Sequence, residues 1–349
     1  MVVRPPLSVY GFGRILQNVQ TVIFFAKREF VMRSVVAALF TIMFTQFSLA
    51  DLPKVNISVL KFGTVNWELD TIKRLELDAQ NGFEMEVNGV AGGAAAKVAF
   101  QAGETDVIVT DWLWVARQRA QGKDYRFIPY SKAVGSLIVK NDSPIRTLED
   151  LKGSKVGIAG GPLDKSWLIL RAYAMQEHGM DLKVDTEQVF GAPPLMMKAA
   201  LTGETDAAIN FWHFLAKMKA KGMRSVISVD DAALALGLDP NTPLLGYVVE
   251  GSYADKNPEI VAGLANASRS AKGVLGADDA AWEHLKGRMK PKSDAEFTAL
   301  IEGFRAGIPS ADPIDIDAAN RMLMVMADLG GSDLVGDLRK LPDGLFIRP

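Results

Sequence analysis

Tryptophans 67, 112, 114, 167 and 212, five of the six in the chain, each fall where a short apolar run gives way to a helical pattern. Residues at such points stand at the carboxyl ends of strands, where open α/β sheets bind ligands. Rigid aromatic faces there suit stacking on a flat guest, whereas core tryptophans are expected on strand faces and helix interiors. Polar chemistry accompanies the rings. Gly92-Gly93 opens a helix, so unpaired backbone N–H groups and the positive end of the helix dipole suit an anion, although a tight turn alone would also account for the glycines. Gly160-Gly161-Pro162-Leu163-Asp164-Lys165-Ser166-Trp167 repeats that layout with a cation added. Lys165 can pair with an acidic ligand group while Trp167 covers a flat one; alternatively, Asp164 caps the helix and Lys165 is a solvated first-turn residue. The candidate ligand contacts are Asn66, Trp67, Gly92, Gly93, Thr110, Asp111, Trp112, Trp114, Gly161, Asp164, Lys165, Ser166, Trp167, Asn210 and Trp212. Trp112 and Trp167 lead for stacking, and the Gly92-Gly93 turn, Thr110, Asn210 and Lys165 lead for polar contacts.

Other chemistries find less support. The chain has no cysteine, which removes thiol catalysis, thiolate metal sites and disulfides. Its three histidines, at 178, 213 and 284, are scattered with no paired spacing, so neither a metal site nor a cofactor is expected. Asp111, Glu68 and Asp164 could supply an acid–base pair, yet no nucleophile–base–orienter set can be assembled and carboxylates at helix starts are ordinarily caps, so no catalytic residue is expected. A formal charge of −2 argues against broad nucleic-acid binding.

The elements that must position these residues follow from one repeated phrase. Gly103-Glu-Thr-Asp-Val-Ile-Val-Thr-Asp-Trp112 and Gly203-Glu-Thr-Asp-Ala-Ala-Ile-Asn-Phe-Trp212 lie 100 positions apart, each an acidic turn after a helix, then a short apolar strand, then a polar-aromatic loop. Two such units predict two lobes with the site between them, Thr110 to Trp114 on one wall and Asn210 to His213 on the other. Strands are predicted near 55–60, 83–88, 125–129, 134–140, 155–159, 187–190, 224–229 and 244–249, alternating with helices. Beyond about residue 252 the chain turns helical, at roughly 257–273, 278–288, 293–305 and 315–328, and the tail after Gly330-Gly331 reads as peripheral. With 349 residues, 48% of them hydrophobic, the chain can bury two cores. The expected division is lobe 1 at 51–139 plus 243–349 and lobe 2 at 140–242, with the helical tail returning to cover lobe 1 through crossovers near 138–142 and 240–245.

The amino terminus reads as an export signal. Lys27, Arg28 and Arg33 precede the apolar run from Ser34 to Thr45, and Ser48-Leu49-Ala50 follows it, which predicts cleavage near Ala50 and a periplasmic mature chain. Residues 1–31 then read as an upstream extension or as lying ahead of a true start at Met32, and an uncleaved N-terminal anchor is the alternative to cleavage.

Leu137-Ile-Val-Lys-Asn-Asp-Ser-Pro-Ile-Arg-Thr-Leu-Glu-Asp-Leu-Lys-Gly-Ser-Lys-Val-Gly-Ile158 and the Ala-Leu-x-x-Gly-Glu-x-Asp-Ala pattern at Ala200 to Ala207 resemble periplasmic substrate-binding proteins of ABC transporters of the nitrate/sulfonate/taurine type. The likeness runs over most of Val55 to Tyr247. It implies an α/β, type II periplasmic-binding-protein fold, two lobes joined by a two-stranded hinge, closing on a small-molecule ligand that passes to an ABC permease energised by an ATPase subunit. A monomer is expected, with no nucleic-acid partner. Related sequences of the thiamine-pyrimidine synthase type need reactive cysteine and histidine positions, and the lack of cysteine removes the support for that enzyme reading. The tryptophan loading points to a planar, anionic or aromatic ligand such as a pyrimidine, flavin-like or pyrroloquinoline-quinone-type compound. The alternatives are an aliphatic sulfonate, taurine or nitrate-type anion and, in another class, an enzyme or a non-transport sensor or chaperone on the same scaffold.

Overall fold

The structure, a computed structural model, describes residues 52–347; the export signal and cleavage point expected at residues 1–50 lie outside these residues. Two five-stranded sheets organise the chain. The first has the order β2-β1-β3-β10-β4, built from β1 (Lys54–Leu60), β2 (Glu84–Val90), β3 (Val107–Asp111), β4 (Tyr125–Ser131) and β10 (Leu245–Glu250). The second has the order β7-β6-β8-β5-β9, built from β5 (Ser136–Val139), β6 (Lys155–Ala159), β7 (Glu187–Gly191), β8 (Ala207–Asn210) and β9 (Arg224–Ser228). In each, three parallel strands are followed by one antiparallel strand borrowed from the other half of the sequence: β10 pairs antiparallel with β3 and β4, and β5 with β8 and β9.

That exchange sets the two sheets edge to edge. β4 leaves the first sheet at Ser131, and the chain enters the second at Ser136, opposite Asn210 and Ser228 at the carboxyl ends of β8 and β9. The return from β9 to β10 enters the first sheet at Leu245, opposite Asp111 and Ser131. Both crossings therefore join carboxyl edge to carboxyl edge. β5 itself belongs to the second sheet, so the first crossing falls at residues 132–135 and not at 138–142. Leu137, Ile138 and Val139 are all fully buried, which suits a strand enclosed on both faces.

The repeated phrase is a structural clamp. Gly103 and Gly203 stop their helices at positive φ, 73° and 82°. Asp106 then accepts from the backbone N–H of Asn56 (2.8 Å), and Asp206 accepts from that of Lys155 (2.8 Å). Each aspartate thereby fixes the register of the central strand against its neighbour, β3 on β1 and β8 on β6.

Helices cover the sheets: α1 (Val65–Arg74), α2 (Leu77–Gln80), α3 (Gly93–Gln101), α4 (Trp112–Ala120), α5 (Lys165–His178), α6 (Leu182–Asp185), α7 (Pro193–Thr202), α8 (Trp212–Lys219) and α9 (Val229–Ala235). The carboxyl-terminal run comprises α10 (Gly251–Lys256), α11 (Pro258–Ala277), α12 (Ala280–Glu283), α13 (Lys286–Met289), α14 (Asp294–Ala306) and α15 (Ile316–Val335). It is shared between the sheets: α11 packs on α1 and α2, whereas α14 packs on α8 and α15 on α4 and α5. A single apolar core accordingly holds Ile108 and Phe127 from the first sheet, Val156 and Ile209 from the second, and Met322 and Leu323 from α15. The first helical stretch of α15 ends at the expected stop, since Gly331 leaves the helical conformation at φ 62°, and a short second stretch runs on to Val335. The tail beyond is not peripheral. Leu341 and Leu345 are buried, and Phe127 N–H donates to the Leu345 carbonyl (2.8 Å) while Ile347 N–H donates to that of Phe127 (2.9 Å), closing the free edge of β4.

Candidate functional site between the two sheets

The facing carboxyl edges meet at two points. At the first, Asp111 ends β3 and caps α4 by accepting from Trp114 N–H (3.0 Å), and its other oxygen lies 3.3 Å from the Lys165 ammonium, in the first turn of α5 on the second sheet. A second cation, Lys97 on α3, sits beside it with its ammonium 4.9 Å from the centre of the Trp114 ring. Burial opposes ionisation of Asp111, but Lys165, Lys97 and the Trp114 N–H together outweigh it and hold the carboxyl below its usual range. Lys97 is pulled below its usual value by burial and by Lys165 and Arg117, with Asp111 opposing. Lys165 of the opposite sheet pairs directly with this carboxylate, while Lys97 lies against the Trp114 ring and adds its charge from there. At the second point Trp67, at the start of α1, meets Trp212, at the start of α8, edge to face at 5.8 Å, with Trp282 and Phe304 completing the cluster.

Asp164 caps α5 through Trp167 N–H (3.1 Å), and burial raises its carboxyl to about 6 despite that bond and the nearby Lys165. His213 on α8 is held down at about 4 by burial, with Lys217 adding to the effect, and its buried Nδ1 has no hydrogen-bond partner. It is neutral at pH 7.

The sequence-derived candidates separate into three groups. Gly92, Gly93 and Gly161 border open space, since an added Cβ at any of them would meet nothing within 4 Å. Asp111, Asp164, Lys165, Trp67 and Trp212 form the edge contacts just described. The rest make contacts within the fold. Asn66 ties the turn after β1 by donating to the carbonyls of Leu60 and Gly63, and Asn210 donates to Pro193 while accepting from Phe211 N–H. Ser166 accepts from Gly135 N–H in the first crossing, and Thr110 is buried in β3.

The expected stacking pair is a correction: Trp112 is 0% and Trp167 2% exposed. Trp112 is packed edge-on against Phe346 of the tail and Trp167 lies under Arg171, so neither offers a free face. Trp114 is likewise buried, stacked on Tyr125 at 5.6 Å. The reason is helical geometry: Trp112 is the first residue, and Trp114 and Trp167 are the third residues, of helices capped by Asp111 and Asp164, and side chains at these positions turn back onto the sheet beneath. The exposed rings are Phe62, after β1, Phe190, near the carboxyl end of β7, and Phe211, after β8. Neither these nor Lys97 was singled out by sequence, although a lone cation in the alanine-rich Gly93–Phe100 run was a legible signal for Lys97.

Among the described residues no cluster of three or more His, Asp or Glu side chains is placed to hold a metal, and no helix is long and apolar enough to cross a membrane. What the site can do is bind a small anion with ammonium groups and helix N-termini.

No curated protein matches the sequence. Solved structures share the fold. The alkanesulfonate-binding protein SsuA from Xanthomonas axonopodis pv. citri, bound to MOPS, is 18% identical with a TM-score of 0.64, covering 85% of this chain and 99% of its own. The periplasmic aliphatic sulphonate binding protein SsuA from Escherichia coli is 19% identical, with a TM-score of 0.66 over 84% of this chain and 93% of that one. The desulfurization enzyme DSZB is also similar, at 15% identity and a TM-score of 0.55, over 84% and 97% of the two chains. The fold is thus the α/β, two-lobed binding-protein type, and one enzyme shares it. The model of the NMT1/THI5-like family matches residues 79–278, more than half of the chain, and the chain belongs to that family.

Proposed function

We propose that this chain is the extracytoplasmic solute-binding component of an ABC importer, taking a small anionic solute between the carboxyl edges of its two sheets. The observation that carries the reading is the cross-sheet cluster of Lys97, Asp111 and Lys165, beside the open amino terminus of α3 at Gly92-Gly93. Asp111 is the countercharge that holds Lys165 at the edge, with Lys97 against the neighbouring Trp114 ring, and in this reading an arriving anion accepts hydrogen bonds from these ammonium groups. The sulfonate-binding neighbours are consistent with an anionic ligand, and the resemblance supplies the partners: a permease and, through it, an ATPase subunit. In this reading the mature chain is periplasmic and performs no catalysis.

A flat aromatic ligand keeps one supporting observation, the exposed Phe62 and Phe211, after the burial of Trp112 and Trp167 removed its first basis. Thermal-shift screening separates the two, with taurine, alkanesulfonates and MOPS in one arm and pyrimidines, flavins and pyrroloquinoline quinone in the other. The anion reading expects a shift in the first arm that is lost in Lys97→Ala and Lys165→Met. A shift in the second arm alone, or sulfonate binding indifferent to both substitutions, overturns it. Native mass spectrometry of protein purified without refolding would identify a retained ligand directly.

A further inference from the structure

A pocket of about 820 Å³ lies between α11, the segment joining α14 to α15, and the tail, and none of Lys97, Asp111 or Lys165 lines it. Its volume falls in the range of roughly 300–1,000 Å³ typical of small-molecule sites. The walls are apolar: Ile128 of β4, Ile308 and Ile314 of the joining segment, and Phe346 of the tail. The floor is α11, and there the helix is bare because Gly273 and Gly276 stand one turn apart. A glycine inside a helix costs about 0.5–1 kcal/mol relative to alanine. At Gly273 no close neighbour requires it, since an added Cβ would meet nothing within 4 Å, and what the missing side chain provides is room.

The charges decide what can enter. Lys272 is the one buried cation on the wall, and its ammonium is already taken on three sides, by Glu68 (2.5 Å), the Ser268 hydroxyl (2.6 Å) and the face of Tyr130 (4.6 Å). The remaining charged lining residues are Arg269 and Lys340 against Asp312 and Asp343, two of each sign. No net charge is on offer to a guest, and burying a charged one against Ile308, Ile314 and Phe346 would cost its hydration.

We infer that this pocket is a second binding site, separate from the one between the sheets, for an uncharged apolar small molecule. The test uses the neutral dye N-phenyl-1-naphthylamine with the full mature chain. Saturable one-to-one fluorescence enhancement is expected, and the anionic analogue 1-anilinonaphthalene-8-sulfonate, whose sulfonate can also be taken up between the sheets, should displace the neutral dye with an affinity at least about tenfold weaker than the dye's own. Gly273→Phe, which projects into the open space, should weaken dye binding at least about tenfold with circular dichroism and melting temperature unchanged or raised. Gly273→Leu serves the same purpose should the larger side chain impair folding. Gly92→Trp, on the edge between the sheets, should leave dye affinity within about twofold. Absence of saturable binding, binding unaffected by both Gly273 variants, loss on Gly92→Trp instead, or displacement of the neutral dye by the anionic one with equal or greater affinity would each overturn the inference.

Discussion

The Asp111–Lys165 pair couples the two sheets, and a double-mutant cycle measures by how much. At 3.3 Å the attraction is about 5 kcal/mol with an effective dielectric constant near 20. Most of that is offset. Both side chains are partly out of water, Asp111 at 13% and Lys165 at 27% exposure, and Lys165 gives up rotamer freedom to hold the contact. A net coupling of about 1–2 kcal/mol follows, above the exposed-pair range and below the cost of stranding a fully buried charge. The substitutions are Asp111→Asn, which keeps an acceptor for Trp114 N–H, and Lys165→Met, which keeps the apolar stem. Urea unfolding of the parent, both single variants and the double variant gives the coupling directly, and one cooperative transition is expected because one core spans both sheets. Asp111→Ala removes the cap as well and should cost about 1 kcal/mol more than Asp111→Asn. A coupling below about 0.3 kcal/mol, which is no more than the scatter of independent sites, would refute the cross-sheet pair and with it the basis of the proposed ligand site.

Three further outcomes follow from the same geometry. Trp112→Ala should destabilise by about 3–5 kcal/mol in urea unfolding without weakening ligand binding in the remaining folded protein, because the ring is core; selective loss of binding would restore a stacking role. Lys272→Met leaves the fully buried Glu68 without its cation and should cost about 3–5 kcal/mol, whereas adding Glu68→Gln should recover most of it, as denaturation midpoints will show. Asp164 is held in the fold at about 6, above its unfolded value, so protonation favours the folded state: that contribution is fully present below about pH 4 and is lost as pH rises through 6. Asp164→Asn, which keeps the cap, should therefore be more stable than the parent at pH 7.5 by up to about 3 kcal/mol, the difference closing below pH 4 in a stability–pH profile; a gain that does not change with pH would exclude this cause.

Much of the fold was legible because it rests on local chemistry. Gly103 and Gly203 need positive φ, Asp106 and Asp206 reach the backbone of the next strand, and the apolar runs between turns could only be buried strands. Position along the chain also put Asp111 and Lys165 at strand ends, and the two face one another across the sheets. Side-chain direction was not legible. Whether a tryptophan at a strand's end faces the opening or the core depends on which residue of the turn begins the helix, and that is how Trp112 and Trp167 came to be enclosed while Phe62 and Phe211 are exposed.

The sequence by itself determined two matched α/β units, the clamp that registers each central strand, and the loops that border the opening, because capping, turn chemistry and strand periodicity act over a few residues. Only the tertiary structure decided that β5 belongs to the second sheet, that the tail closes the edge of β4, that Lys97 lies on the Trp114 ring beside the Asp111 cap, and that the bare face of α11 leaves a pocket. Those outcomes depend on contacts between residues far apart in the chain, whose relative placement no local rule carries.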